Sequence, residues 1–349
     1  MEIVKRRIAK HVMNNLNLIP CEKLQLQQVT VTTTARLHMG FVDLNGSKGR
    51  MFGSLGVALN APATRLTVAR GKKTLNVANG DDCVDKIVEN IKKKLNVELD
   101  ISVEIHEKIT EHAGLGSGTQ MALAIGTGIN ALFDLNLTTA QLAAMTSRGR
   151  RSGIGIGTFE QGGLVFDGGR NTYQNNPQEN NRQSPPIIAR HDFPQEWPIL
   201  LMMDNDDQGI FGDAELQAFG TLPHADLATA QALSHRVLMQ ALPAIVERDY
   251  AQFSQAIHAL QLATGAYFSA AQGGHYKSAK VSEALGYLNT QGVICAGQSS
   301  WGPTGFAIFE NDDIANKMLN QLQQRFSKFG QLRFQLMRAK NTGATIQLG

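Results

Sequence analysis

The run His112-Ala-Gly-Leu-Gly-Ser-Gly-Thr-Gln120 constrains the fold of this chain more than any other feature. It stands with almost no spacer between a strand-like segment, Ile101–His106, and a helix-like segment of small and apolar residues, Thr119–Leu135. Glycines in such a turn allow positive φ and let backbone N–H groups converge. The helix that follows adds N-terminal donors and partial positive charge, so the turn suits an anion. No Gly-Lys-Ser/Thr follows at the spacing of a Walker loop. Taken alone, the run fits a tight strand-to-helix turn, with glycines for packing, about as well as a phosphate cradle. The helix is apolar on nearly every face, which predicts burial. Gly126 and Gly128 inside it each cost about 1 kcal/mol in propensity, which predicts close approach of a neighbour.

Two more polar, glycine-dense regions shift that balance. Ala35-Arg-Leu-His-Met-Gly40 closes a Val/Thr-rich strand at residues 27–35, and Arg50-Met-Phe-Gly-Ser-Leu-Gly56 follows shortly. Gly297-Gln-Ser-Ser-Trp-Gly-Pro-Thr-Gly305 stands just before another strand. Three such loops in 349 residues exceed what turn-making alone requires.

Further strands are expected at Leu55–Asn60, Arg65–Ala69, Thr74–Val77, Trp197–Met203, Gly292–Ala296, Thr304–Phe309 and Leu332–Met337. Helices are expected over 84–95, Ala225–Val246 and Tyr250–Phe268. Strands and helices interleave without regular alternation, so the fold class is α+β. The Asn/Gln/Pro-rich stretch 171–186 reads as a long surface loop near a domain boundary. Length favours two domains, since one domain usually takes roughly 100–200 residues. The expected division is an N-terminal extension at 1–26, carrying Lys5, Arg6, Arg7 and Lys10, then domains at 27–185 and 186–349. A net charge of +3 gives no electrostatic case for nucleic acid. No apolar run approaches about 18 residues, so no membrane span is expected. Cys21, Cys83 and Cys295 are too scattered for a disulfide framework or a zinc site. Without a secretory apolar core behind the basic N-terminus, the expected compartment is reducing and cytoplasmic.

The three loops resemble, in order and approximate spacing, the three motifs of the GHMP kinase superfamily. The middle one matches that superfamily's phosphate loop, with Gly118-Thr119 in place of its usual Ser-Ala. More closely, the chain is similar to the β-ribofuranosylaminobenzene 5′-phosphate synthase family. Matching runs are 35–46, 114–120, 151–157, 159–169, 272–274 and 297–304, within a resemblance spanning about 30 to 340. It implies a two-domain GHMP-kinase-like fold with mixed or antiparallel sheets and a buried central helix. The implied reaction is decarboxylating transfer from 5-phosphoribosyl 1-diphosphate to 4-aminobenzoate or 4-hydroxybenzoate, in tetrahydromethanopterin biosynthesis. Its products are an aryl C-riboside 5′-phosphate, CO2 and diphosphate. Mg2+ and a homodimer are also implied. The rival within the same superfamily is an ATP-dependent small-molecule kinase, against which stands the lack of an Asp between Gly153 and Gly163.

Given that resemblance, Gly114, Leu115, Gly116, Ser117, Gly118 and Thr119 are the expected phosphate-binding residues. Arg36 is expected to grip phosphate, the alternative being a surface salt bridge. His38, two residues on, shares a strand face with Arg36 and either bonds substrate or is a satisfied buried histidine. Glu160, just before Gly162-Gly163, is the expected carboxylate for a ribosyl oxocarbenium; the alternative is a structural cap. Arg150 and Arg151, clustered with Arg148, either receive substrate anions or form a solvated turn. Ser299 and Ser300 are expected to close the pocket, and Trp301 to stack on the aromatic substrate or fill the core. Lys277 is placed near phosphate, and Asp43 is the expected Mg2+ ligand.

Overall fold

The computed structural model describes residues 26–71, 82–172, 184–207, 209, 217 and 222–349. Period-two burial builds its first sheet. In β1 (Gln28–Asp43), Val29, Val31, Thr33, Ala35 and Leu37 face inward while the residues alternating with them are half-buried. β2 (Arg50–Arg70) pairs antiparallel with β1, so the two strands expected at 55–60 and 65–69 are one long strand. β3 (Ile101–Glu107), β4 (Leu164–Asp167) and β5 (Arg170–Asn171) also pair with β2, and β6 (Ile187–His191) pairs with β4. The C-terminal β11 (Thr345–Leu348) returns to the free edge of β1, giving the order β11-β1-β2-β4-β6 with β3 and β5 off that path. Both β6 and β11 lie beyond residue 185 in sequence and pair into this first sheet.

A second antiparallel sheet runs β10 (Leu332–Met337), β7 (Ile199–Asp204), β9 (Thr304–Ile308), β8 (Ala296–Gln298). β8 starts where the expected strand at 292–296 was to end, because Gly292 takes φ +81° in a turn. The expected strand at 74–77 and most of the 171–186 stretch lie outside the described residues.

Helix α1 (Asp82–Leu95) buries Val84, Ile87 and Ile91 on one face and carries Lys92–Lys94 in its last turn, which suits the helix dipole. Helix α2 (Ser117–Phe133) is buried at nearly every position from Gln120 to Ile129 and at Leu132, as its sequence predicts. Burial of each large apolar side chain there stabilises by about 1.5–3 kcal/mol. Its glycines are contact points: a Cβ on Gly128 would stand 2.4 Å from Val68 Cγ2, and one on Gly126 would touch Leu142 at 3.4 Å. α3 (Thr139–Met145) opens with a Thr138/Gln141 capping box, and α4 (Ile154–Gln161) begins beside the start of α2.

The helix expected over 225–246 is three joined pieces: α5 (Leu227–Arg236), a π-helical turn (Val237–Ala241) and α6 (Leu242–Glu247). Pro243 explains the break, since it has no N–H to offer the preceding turn. α7 (Tyr250–Gln272), α8 (Ala279–Thr290) and α9 (Asp312–Arg325) follow, with Asp249, Ser278 and Asn311 as N-caps.

Candidate anion-binding active site

The glycine loop reaches α2 through Gly114 at φ +82° and Gly116 at φ +86°, conformations that favour glycine. Gly116 is the N-cap and makes no side-chain capping bond. The first N–H groups of a helix have no intrahelical partner, and here Ser117 and Gly118 line a cavity of about 460 Å3. Two guanidinium groups flank the turn. A Cβ on Gly116 would lie 3.1 Å from Arg36 Cζ, and one on Gly118 would lie 3.1 Å from Arg148 Nη1. Glycine at these two positions therefore lets a cation close over each side of the loop.

β1 and the third motif hold this arrangement. Arg36 donates its backbone N–H to Leu115 O at 3.1 Å and its Nη1 to Gly114 O at 2.6 Å. Ser299, fully buried, donates Oγ–H to Gly114 O at 2.8 Å and accepts His38 N–H at 3.1 Å. Ser300 N–H donates to His38 O at 3.2 Å. Ser300 and Trp301 then wall the cavity opposite the helix start, and Trp301 packs edge-on to Phe268 with centroids 4.6 Å apart. Gln120, fully buried, ties the first turn of α2 to α4 through a bond from Nε2 to Gly155 O at 2.9 Å.

His38 is 4% exposed, and its Nδ1 accepts Gly40 N–H at 3.3 Å, so the ring proton sits on Nε2. Burial, reinforced by the Arg36 charge, pushes its pKa down to about 3. The stability sign follows. The unfolded chain takes up this proton near 6.5 and the folded chain only near 3, so the unfolded state binds more protons between those values. Stability should therefore fall on acidification from pH 7 to pH 5, by on the order of 2 kcal/mol from this ring. Urea midpoints at the two pH values test this, and His38→Gln should lose less on acidification than the native chain does.

The expected site residues divide in this structure. Arg36, Ser300, Trp301 and four residues of the loop (Gly114, Gly116, Ser117, Gly118) line the cavity together with Thr119; Leu115 is buried beneath, and Ser299 and His38 brace the lining from behind. Of the arginine cluster, Arg148 reaches the cavity, while Arg150 is exposed and neither it nor Arg151 is on the lining. Glu160 needs correction: it is exposed near the C-terminal end of α4, and its backbone is packed under Gly343 rather than its carboxylate facing the cavity. The acidic residue on the described lining is Glu111, which pairs with Lys108 at 3.1 Å. Lys277 also lies off the lining, with Nζ 3.3 Å from Asp207 Oδ1.

Asp43 does not fit a metal ligand. Its Oδ1 accepts Asn45 N–H at 2.8 Å and Gly46 N–H at 2.9 Å, which closes a turn away from the cavity. No group of three or more His, Cys, Asp or Glu among the described residues is placed to hold an ion, so no step is assigned to Mg2+.

Sequence reasoning left Asp167 unassigned. It is fully buried and accepts from Ser54 Oγ at 2.5 Å, Gly153 N–H at 2.8 Å, Gly169 N–H at 2.9 Å and Ser152 Oγ at 3.2 Å. Burial raises its pKa against the pull of those donors. It anchors the turn that starts α4. The signal for it was the Asp167-Gly168-Gly169 end of the fourth matching run, which marks a carboxylate in front of a tight turn.

The fold and this site define a protein of the GHMP kinase class. The GHMP kinases N terminal domain matches residues 82–162, and the GHMP kinases C terminal domain matches residues 241–328. A mevalonate diphosphate decarboxylase from Enterococcus faecalis shares the fold at a TM-score of 0.62, with 15% identity and coverage of 93% of this chain and 100% of its own. Closer relatives narrow the class. A β-ribofuranosylphenol 5′-phosphate synthase from Archaeoglobus fulgidus is 35% identical over 327 residues, covering 90% of this chain and 98% of that protein. Its counterpart from Methanocaldococcus jannaschii is 29% identical over 340 residues, covering 90% and 99%. The chain belongs to the β-ribofuranosylphenol 5′-phosphate synthase family. Among the described residues no helix is long and apolar enough to cross a membrane.

Proposed function

We propose that this chain catalyses decarboxylating phosphoribosyl transfer from 5-phosphoribosyl 1-diphosphate to a 4-substituted benzoate in tetrahydromethanopterin biosynthesis. The observation that carries the reading is the helix N-terminus flanked by the Arg36 and Arg148 guanidinium groups, in a cavity walled by Trp301. Backbone N–H groups and two cations suit a diphosphate leaving group, and an aromatic wall suits an aryl acceptor. The product in the relatives' names is a ribofuranosylphenol phosphate, which by atom balance calls for 4-hydroxybenzoate as acceptor. 4-Aminobenzoate is the second acceptor to compare.

In the reaction, the ring carbon bearing the carboxylate supplies an electron pair to the anomeric carbon. The anomeric C–O bond breaks, and its pair leaves on diphosphate. The bond from ring to carboxylate then breaks, its pair restores the aromatic ring, and CO2 departs without net proton transfer. The loop amides, Arg36 and Arg148 hold and neutralise the departing diphosphate. Glu111, the acidic residue on the described lining, takes the place of Glu160 in this reading as the carboxylate to face the ribosyl cation. Ser299 and Gln120 act through position, by fixing the loop against β1 and α4.

The test is an assay with phosphoribosyl diphosphate, Mg2+ and each benzoate. CO2 and diphosphate should appear in equal amounts. ADP formation from ATP and a small alcohol, without CO2 from the benzoates, would instead establish the kinase rival. Sedimentation of the active protein tests the homodimer that the family resemblance implies.

A further inference from the structure

A second, much smaller cavity of about 30 Å3 adjoins the first, and the two share Ser300 and Trp301 as walls. Its other lining residues are His38, Gly40, Phe41, Thr264, Phe268 and Gln298. That volume holds one or two water-sized groups, hence a substituent rather than a ring. The side-chain atoms of this lining that are buried without a hydrogen-bond partner among the described residues include His38 Nε2 and Thr264 Oγ1. Buried polar groups are ordinarily paired, so two orphans around one void point to a missing partner. Gln298 is not among them, because its Oε1 accepts Lys277 N–H at 2.6 Å and its Nε2 donates to Ser300 O at 2.8 Å.

Gly40 keeps the void open. It takes φ +128°, and a Cβ there would stand 2.6 Å from Thr264 Oγ1 and 3.0 Å from Leu260 Cγ. The rest of the wall is aromatic, with Phe41 edge-on to His38 at 4.6 Å and Phe268 edge-on to Trp301 at 4.6 Å. His38 therefore offers the pocket a fixed donor, its Nε2–H, and Thr264 a hydroxyl that both donates and accepts.

We propose that this pocket receives the para hydroxyl of the benzoate acceptor, its oxygen accepting from His38 Nε2–H and its proton donated to Thr264 Oγ1. The ring then extends toward the mouth shared with Trp301, and the reacting carbon at the opposite end of the ring faces the glycine loop. A hydroxyl, which accepts once and donates once, matches the two groups in number. An aromatic amine does not, since its lone pair is drawn into the ring and it leaves the His38 N–H without an acceptor. A carboxylate would be buried beside a neutral imidazole, with no cationic side chain on the pocket's described lining, at high cost. Thr264 is thus a specificity-determining residue, one that separates 4-hydroxybenzoate from its unsubstituted and amino analogues. The proposal rests on the transferase reading for its choice of ligand.

The test is calorimetric titration of 4-hydroxybenzoate and of unsubstituted benzoate into the full chain with diphosphate present. It compares the native protein with Thr264→Val, which keeps the shape and removes the hydroxyl, and Thr264→Ser, which restores it. The native protein should hold 4-hydroxybenzoate about tenfold more tightly than benzoate, the worth of one or two net hydrogen bonds. Thr264→Val should hold the two alike, and Thr264→Ser should regain the preference. A preference that survives in Thr264→Val, or no preference in the native protein, overturns the proposal. CO2 release measured in parallel separates the two readings: native protein that shows the Thr264-dependent preference but releases no CO2 overturns the transferase function and keeps the pocket.

Discussion

Arg36→Ala should lower kcat/KM for phosphoribosyl diphosphate by about 10²–10³, the loss expected when one preorganised electrostatic group is removed from a developing anion. The size follows from what the side chain does twice over. Its guanidinium lies against Gly116 at the start of α2, so its charge adds to that of the helix end where the diphosphate is to be held. Its Nη1 also bonds Gly114 O, so the truncation loosens the turn whose N–H groups form the rest of the cradle. Arg36→Lys should recover part of the loss, because it keeps the charge and gives up the fork that serves carbonyl and phosphate together. Glu160→Gln is the contrast, and it should leave kcat/KM within about twofold, since that carboxylate is exposed and off the cavity. Steady-state assays with the donor varied measure all three. An Arg36→Ala enzyme with native KM and kcat would remove the guanidinium from the diphosphate site.

Much of this site was readable from residue order alone, for a physical reason. Glycines before an apolar helix, Arg36 and His38 at alternating strand positions, and a Ser-Ser-Trp-Gly turn before a strand are local patterns, and local patterns set backbone geometry. The buried central helix was legible in the same way, down to close contacts at Gly126 and Gly128. Errors came where position in space depends on packing between distant segments. Glu160 precedes a glycine pair, the place where many kinases that the sequence resembles carry an Asp base, but α4 is short and its C-terminal turn runs under residues 340–343, away from the loop. Arg148, Arg150 and Arg151 look equivalent in sequence. Left-handed residues on both sides, Ser147 at φ +59° and Gly149 at φ +71°, bracket Arg148, which lies across Gly118. Lys277 and Asp207 are 70 residues apart, and nothing local predicts that they neutralise one another. Thr264 lay in an ordinary helical stretch, and its importance appears only once Gly40 is brought against it.

Gly302→Ala should be among the most damaging single methyl additions at the described residues. A Cβ at that position would stand 2.3 Å from Gly114 Cα, Gly114 N and Ala113 O, all backbone atoms that no rotamer change can move. Carbon atoms in contact ordinarily stay about 3.5–4 Å apart, so the two loops must part by an ångström or more. Overpacking of this kind typically costs about 1–3 kcal/mol, and a shift of about 1 Å in a catalytic group can cost 10²-fold in rate. Both losses are expected here, because the same contact sets the loop and seats Ser299 Oγ on Gly114 O. A lowered urea midpoint and a fall of at least 10² in kcat/KM are the expected measurements. Gly286→Ala supplies the opposite sign. That glycine lies inside α8 with nothing within 4 Å of an added Cβ, so alanine there should raise stability by up to about 1 kcal/mol. If Gly302→Ala instead behaved like Gly286→Ala, the close backbone approach between the middle and third loops would be refuted, and with it the geometry that closes the diphosphate cradle.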